Sequence, residues 1–192
     1  MHKARLEAFS DGVIAILITI MVLELKTPQG IGWDDLRPVI PTLISYVLSF
    51  IYLGIYWNNH HHMLHASERV NGKILWANLH LLFWLSLIPF LTSWTGQNHF
   101  APVPTALYGV VLIMAALAYS ILQRCIIHFH GPGSKLANAV GHDVKGKISL
   151  AFYALAIVLA LLEHPWISGG LYALVALIWL VPDPRIEARL SS

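Results

Sequence analysis

The sequence predicts an all-α integral membrane protein with six transmembrane helices, and three observations carry that expectation. Of its 192 residues 57% are hydrophobic and only 11% charged, against about 25% charged in a soluble domain. Six apolar stretches approach the length of a bilayer crossing. Ten of the twelve Lys and Arg residues fall in alternate connecting segments.

A spanning helix needs about 20 mostly apolar residues. The stretches that qualify are Ala8–Leu25, Pro38–Trp57, Ile74–Trp94, Thr105–Ile127, Ile148–Glu163 and Trp166–Val181. The last two are short and meet at a tight Glu163-His164-Pro165 corner, so they read as a helical hairpin that only just spans. Residues 1–192 thus form one six-helix domain. Pro38, Pro104 and Pro165 stand at helix starts, where a missing N–H costs nothing. Pro89 lies inside the third stretch and should kink it. Thr27–Arg37, with Pro28, Gly30, Gly32, Asp34 and Asp35, reads as an exposed loop. The first stretch follows His2, Lys3 and Arg5 like a signal peptide, but Asp11 interrupts it. Met21-Val22-Leu23-Glu24 offers no small-residue cleavage site. It reads as a retained helix.

Charge orients the bundle. Lys3 and Arg5, Arg69 and Lys73, Arg124, Lys135, Lys145 and Lys147, and Arg185 and Arg189 fall on one side, with only Lys26 and Arg37 on the other. The positive-inside rule puts both termini in the cytoplasm and favours an even number of spans. Trp33, Trp57, Trp76, Trp94 and Trp166 fall near helix ends, as interfacial anchors do.

Other classes fit poorly. Net charge is +2, and there is no basic run interleaved with aromatics to meet a nucleic acid. The single Cys125 excludes an internal disulfide framework. No Gly-x-Ser-x-Gly, P-loop or His-Glu-x-x-His pattern occurs, which argues against an enzyme. No cofactor is implied.

The first helix carries the most information. Arg5, Ser10 and Asp11 are polar groups at its cytoplasmic entrance, where ionisable residues must pair or face water. At about 100° per residue, Gly12, Thr19, Ile20 and Leu23 fall within about 60° of Ile16, whereas Ser10 and Asp11 point well away. One narrow face thus holds Gly12, Ile16, Thr19, Ile20 and Leu23. An Ile/Leu stripe on a membrane helix is more often a lipid-facing or packing surface. The polar group could be only a helix-end cap. The favoured reading is a network that holds helix one against helices two and three, with Asn58, Asn59, His60 or Asn78 as candidate partners.

Arg5-x-x-x-Phe9-Ser10-Asp11, followed by Gly-Val-Ile-Ala-Ile-Leu-Ile-Thr-Ile-Met-Val-Leu-Glu-Leu, resembles the first helix of the transmembrane protein 175 family. These are potassium channels of endosomes and lysosomes in animals, with smaller relatives in bacteria. The resemblance extends to the six-helix layout, Trp57-Asn58-Asn59-His60, Asn78 and Pro89-Phe90-x-Thr92. Helices four to six match only in hydropathy. Animal members carry two six-helix units; this chain shows one signature, like the bacterial members.

The resemblance implies a homotetramer in the bacterial cell membrane that passes K+, with helix one lining a central pore. By position Ile16 matches the narrowest hydrophobic constriction, Thr19 a hydroxyl one turn outward, and Ile20 and Leu23 further hydrophobic layers. Rings of branched apolar side chains can close a narrow pore by dewetting. No Thr-Val-Gly-Tyr-Gly filter exists, so any potassium preference must come from pore width, partial dehydration and the Thr19 ring.

Two further groups are candidates. His60, His61, His62 and His65 crowd the cytoplasmic end of helix two. His61 and His65 have a spacing that suits a metal, with Glu68 or His142 as a guessed third ligand, though pH sensing suits histidines better. Glu24, Asp34 and Asp35 could form an outer carboxylate vestibule that concentrates cations, or simply a solvated loop. The alternative function is a proton-coupled secondary transporter relaying through Asp11 and the histidines. Transporters usually show repeats and helices broken at mid-membrane, and helix one reads as unbroken.

Overall fold

The structure is a computed structural model that describes residues 3–140 and 144–180. His2, His142, Val181, Arg185 and Arg189, invoked above, lie outside the described residues. Every regular element among the described residues is helical: α1 (Lys3–Ile20), α2 (Ile40–His65), α3 (Gly72–Ser86), α4 (Ile88–Gln97), α5 (Pro102–His130), α6 (Lys135–Val140), α7 (Val144–Leu161) and α8 (Pro165–Leu180), with 3-10 turns at Met21–Glu24 and Trp33–Val39.

Among the described residues five segments are long and apolar enough to cross a membrane: Lys3–Glu24, Trp33–His65, Gly72–Gln97, Pro102–His130 and Val144–Leu161. α8 is apolar but has 16 residues, about 24 Å at 1.5 Å per residue, less than the roughly 30 Å hydrocarbon core. The shortness expected of the final hairpin therefore falls on its second arm. The corner between the arms is tight: Glu163 has φ 66° and the His164 N–H donates back to the Leu159 carbonyl at 2.9 Å.

Local chemistry sets the other boundaries. Lys3 Nζ donates to the His65 carbonyl at 3.2 Å, placing a cation at the negative end of α2 and tying the start of α1 to it. The Asn71 side chain caps α3 by accepting the Ile74 N–H at 3.0 Å. The third apolar stretch is divided at Leu87, and Pro89 occupies the first turn of α4. A proline there breaks the helical ladder, so the expected kink is a boundary between two helices. The segment expected as an open loop is partly ordered: Trp33–Val39 forms a 3-10 helix, and the Gly32 N–H donates to Asp35 Oδ2 at 2.9 Å. Its short side-chain-capped turn lacks an apolar period, so hydropathy could not reveal it.

α5 is the centre of the scaffold, packing on α3, α4, α7 and α8. Its Ala115 and Ala118, with Ala156 and Ala160 of α7 and Ala176 of α8, are buried; small residues let membrane helices approach closely. α1 stands at the side of this body and packs on α2, α3 and α4.

Candidate functional site

α1 has two unlike sides. Leu6, Ser10, Ile14, Leu17 and Met21 are buried against the body. Gly12, Ile16, Thr19, Ile20 and Leu23 are exposed, with Ile16 at 59% and Leu23 at 79%. The exposed arc is wider than the predicted stripe and also takes in Phe9 and Val22. The switch to 3-10 geometry after Ile20 changes the register: at about three residues per turn, Leu23 falls in line with Ile20. The Thr19 hydroxyl lies 3.0 Å from both the Ala15 and Ile16 carbonyls. Its proton is thus spent on its own helix, and its oxygen lone pairs face outward.

The buried side carries a directed chain of hydrogen bonds. His60 Nε2 lies 2.7 Å from Asn78 Oδ1, and because that oxygen only accepts, the ring nitrogen donates. Asn78 Nδ2 donates to Ser10 Oγ at 2.9 Å, and Ser10 Oγ donates to the Leu6 carbonyl at 2.8 Å. All three side chains are essentially fully buried, so the chain links α2, α3 and α1 through the interior. Beside it, Trp57 Nε1 donates to Asp11 Oδ1 at 3.0 Å.

Two residues expected in this network lie outside it. Arg5 and Asn58 are exposed. Helix phase gives the reason: Arg5 precedes Ser10 by five positions, about 140° around α1, and Asn58 precedes His60 by two, about 160° around α2. Asn59 bonds within the body instead, its amide to the Ile55 carbonyl and its own carbonyl to the Tyr119 hydroxyl.

The histidines divide. His60 turns inward, while His61 and His65 are exposed and stack with ring centroids 6.1 Å apart, beneath Trp57. Among the described residues no group of three His, Cys, Asp or Glu side chains is arranged to hold a metal. Glu68 contributes its backbone elsewhere: its N–H and that of Arg69 both donate to His130 Nε2 at 3.3 Å, while His130 Nδ1 meets the Ile126 carbonyl at 2.9 Å. The end of α5 thereby holds the α2–α3 turn, a contact between residues some 60 positions apart that no local motif announces.

In the 3-10 turn that follows α1, Ser93 Oγ donates to Glu24 Oε2 at 2.8 Å. Asp34 pairs with Arg37 at 3.0 Å on the exposed turn, and Asp35 caps Gly32. The carboxylates of the supposed vestibule therefore have separate local partners. α4 also reaches the 3-10 turn after α1 through Thr92, whose hydroxyl oxygen lies 2.6 Å from Ser49 Oγ, 2.7 Å from the Ile88 carbonyl and 3.9 Å from the Met21 sulfur.

Residues 5–89, the stretch that holds both ends of this hydrogen-bonded chain, match the family model described as endosomal/lysosomal potassium channel TMEM175. A potassium channel of a Chryseobacterium species (strain P1-3) is 57% identical over 191 residues, covering 100% of this chain and 99% of that one. The chain belongs to the TMEM175 family. A potassium channel from Streptomyces collinus is 31% identical over 204 residues, again spanning nearly the whole of both chains, 100% and 99%. The crystal structure of a lysosomal potassium-selective channel TMEM175 homolog from Chamaesiphon minutus has the same fold, with a TM-score of 0.76 at 24% identity over 93% of this chain and 96% of that one. More distant vertebrate TMEM175 relatives, such as that of Danio rerio (24% identical, 66% of this chain and 24% of that one), are named proton channels. The chain is thus a multi-pass membrane member of a channel family, with the length of its bacterial relatives.

Proposed function

We propose that this chain is a potassium-preferring cation channel, a single six-helix unit of which several copies, four by resemblance, enclose a central pore lined by α1. One helix cannot surround a pore, so copies must meet about an axis. The observation that carries the reading is the two-sided α1: an apolar exposed face of Ile16, Ile20 and Leu23 interrupted by the Thr19 oxygen, with the opposite face hydrogen-bonded into the scaffold. Ile16 is the constriction, Ile20 and Leu23 form outer hydrophobic layers, and the Thr19 ring offers oxygens to a partly dehydrated K+. A ring of Ile side chains excludes water when narrow and conducts when a small rotation of α1 widens it. Ser10, Asn78 and His60, with Asp11 on Trp57, hold the helix in place. Both termini face the cytoplasm of a cell whose plasma membrane holds the channel, as the Lys and Arg distribution favours.

The test is purified protein in a planar bilayer under a potassium gradient. Discrete openings that reverse near the potassium potential are expected. A slow flux coupled to protons, without unitary current, would support the transporter alternative and sink the channel. Because vertebrate relatives are named proton channels, a proton gradient is applied in a separate run, and a shift of reversal potential reads proton permeation directly.

A further inference from the structure

Away from α1, the body of the bundle holds a small cavity of about 10 Å³ where α2, α4, α5 and α8 meet, lined by Ser45, Thr95, Thr105, Tyr108 and Tyr172 among others. The side-chain oxygens of Thr95 and Thr105 are buried and have no hydrogen-bond partner, and both residues line the cavity. Buried hydroxyls are rarely left without partners, because an unmade bond keeps the full desolvation cost. The remaining polar groups are committed in ways that leave acceptor capacity. Ser45 Oγ donates to the Thr92 carbonyl at 2.8 Å, and Tyr172 donates to the Thr105 carbonyl at 3.1 Å. Each of those oxygens retains a lone pair.

We infer that this cavity is a binding site for one ordered water molecule, which bridges Thr95 of α4 to Thr105 of α5 and donates to the lone pairs of Ser45 or Tyr172. The volume is that of about one water, and such a site requires two to four polar partners, which these side chains supply. No charged group lines the cavity, so a neutral ligand is favoured over an ion. The water would pin α4, whose Thr92 and Ser93 touch Met21 and Glu24 in the 3-10 turn after α1, to the α5–α8 body behind it.

Two measurements on the full-length protein test the site. A crystal or cryo-EM map fine enough to resolve ordered water should show a density peak within hydrogen-bond distance of both threonine hydroxyls. Threonine side chains turned to the Leu91 and Ala101 carbonyls of their own helices, with no peak between them, would overturn it. Independently, Thr95→Val and Thr105→Val are compared singly and together by thermal unfolding. If one water serves both hydroxyls, removing either partner frees the other's, so the double variant loses less melting temperature than the two single losses added. Additive losses, or a rise in melting temperature for either single variant, would count against a shared water.

Discussion

Asn78 of α3 donates to the Ser10 hydroxyl of α1 while accepting from His60 of α2, so one carboxamide joins three helices. Replacing it with Leu keeps the number of side-chain heavy atoms and the branch at Cγ and removes both bonds. The His60 ring, whose Nδ1 already lacks a partner, would then have neither nitrogen satisfied. Asn78→Leu is expected to cost about 1–3 kcal/mol for the unpaired buried group, read as a lower unfolding temperature in detergent. An unchanged transition would show that the carboxamide does not hold the three helices together.

If Ile16 forms the proposed constriction, Ile16→Asn should admit water there and raise the leak current roughly tenfold, equivalent to about 1.4 kcal/mol of barrier. Ile14→Val serves as a control, because Ile14 is buried on the other side of the same helix. Equal currents from wild type and Ile16→Asn would remove Ile16 from the conduction path.

Gly96 marks a close approach of α4 to α2: an added Cβ would lie 2.5 Å from the Thr42 Cα. Because the obstacle is backbone, Gly96→Ala must part the helices, at a cost of about 1–3 kcal/mol. Gly54→Ala meets nothing within 4 Å and should be tolerated. Equal thermal stability of the two variants would contradict the packing described.

His130→Phe removes the ring nitrogen that accepts both the Glu68 and Arg69 N–H groups. The loss should be near 1 kcal/mol, since these groups can reach water. The sharper readout is hydrogen exchange: the two amides should exchange faster than in the wild type, with the core of α5 unaffected.

The membrane class was legible because composition and the length of the apolar runs report it, and the helix phase of α1 because the rotation per residue is fixed. Ser10 and Ile16 face opposite ways for the reason the rotation per residue gives, and Asn78 and His60 were among the named partners of the polar entrance. Arg5 and Asn58 misled because polarity alone does not say which way a residue points; helix phase relative to Ser10 and His60 does. Trp57 read as an interfacial anchor, since an indole at a helix end gives no local sign that an aspartate on another helix awaits its N–H. The same holds for Ser93 with Glu24 and His130 with the α2–α3 turn. Each is a pairing across some 45 to 70 positions of sequence.

The interruption at Leu87 lets one apolar stretch do two separate jobs. α3 grips the first half of α1 through Asn78, and α4 grips the 3-10 turn that continues α1 through Thr92 and Ser93. Had the stretch been a single rigid rod, the two grips would have to move as one. With a proline joint between them, the first membrane segment is held by two separate clasps, one near its start and one past its end, rather than along a single spine.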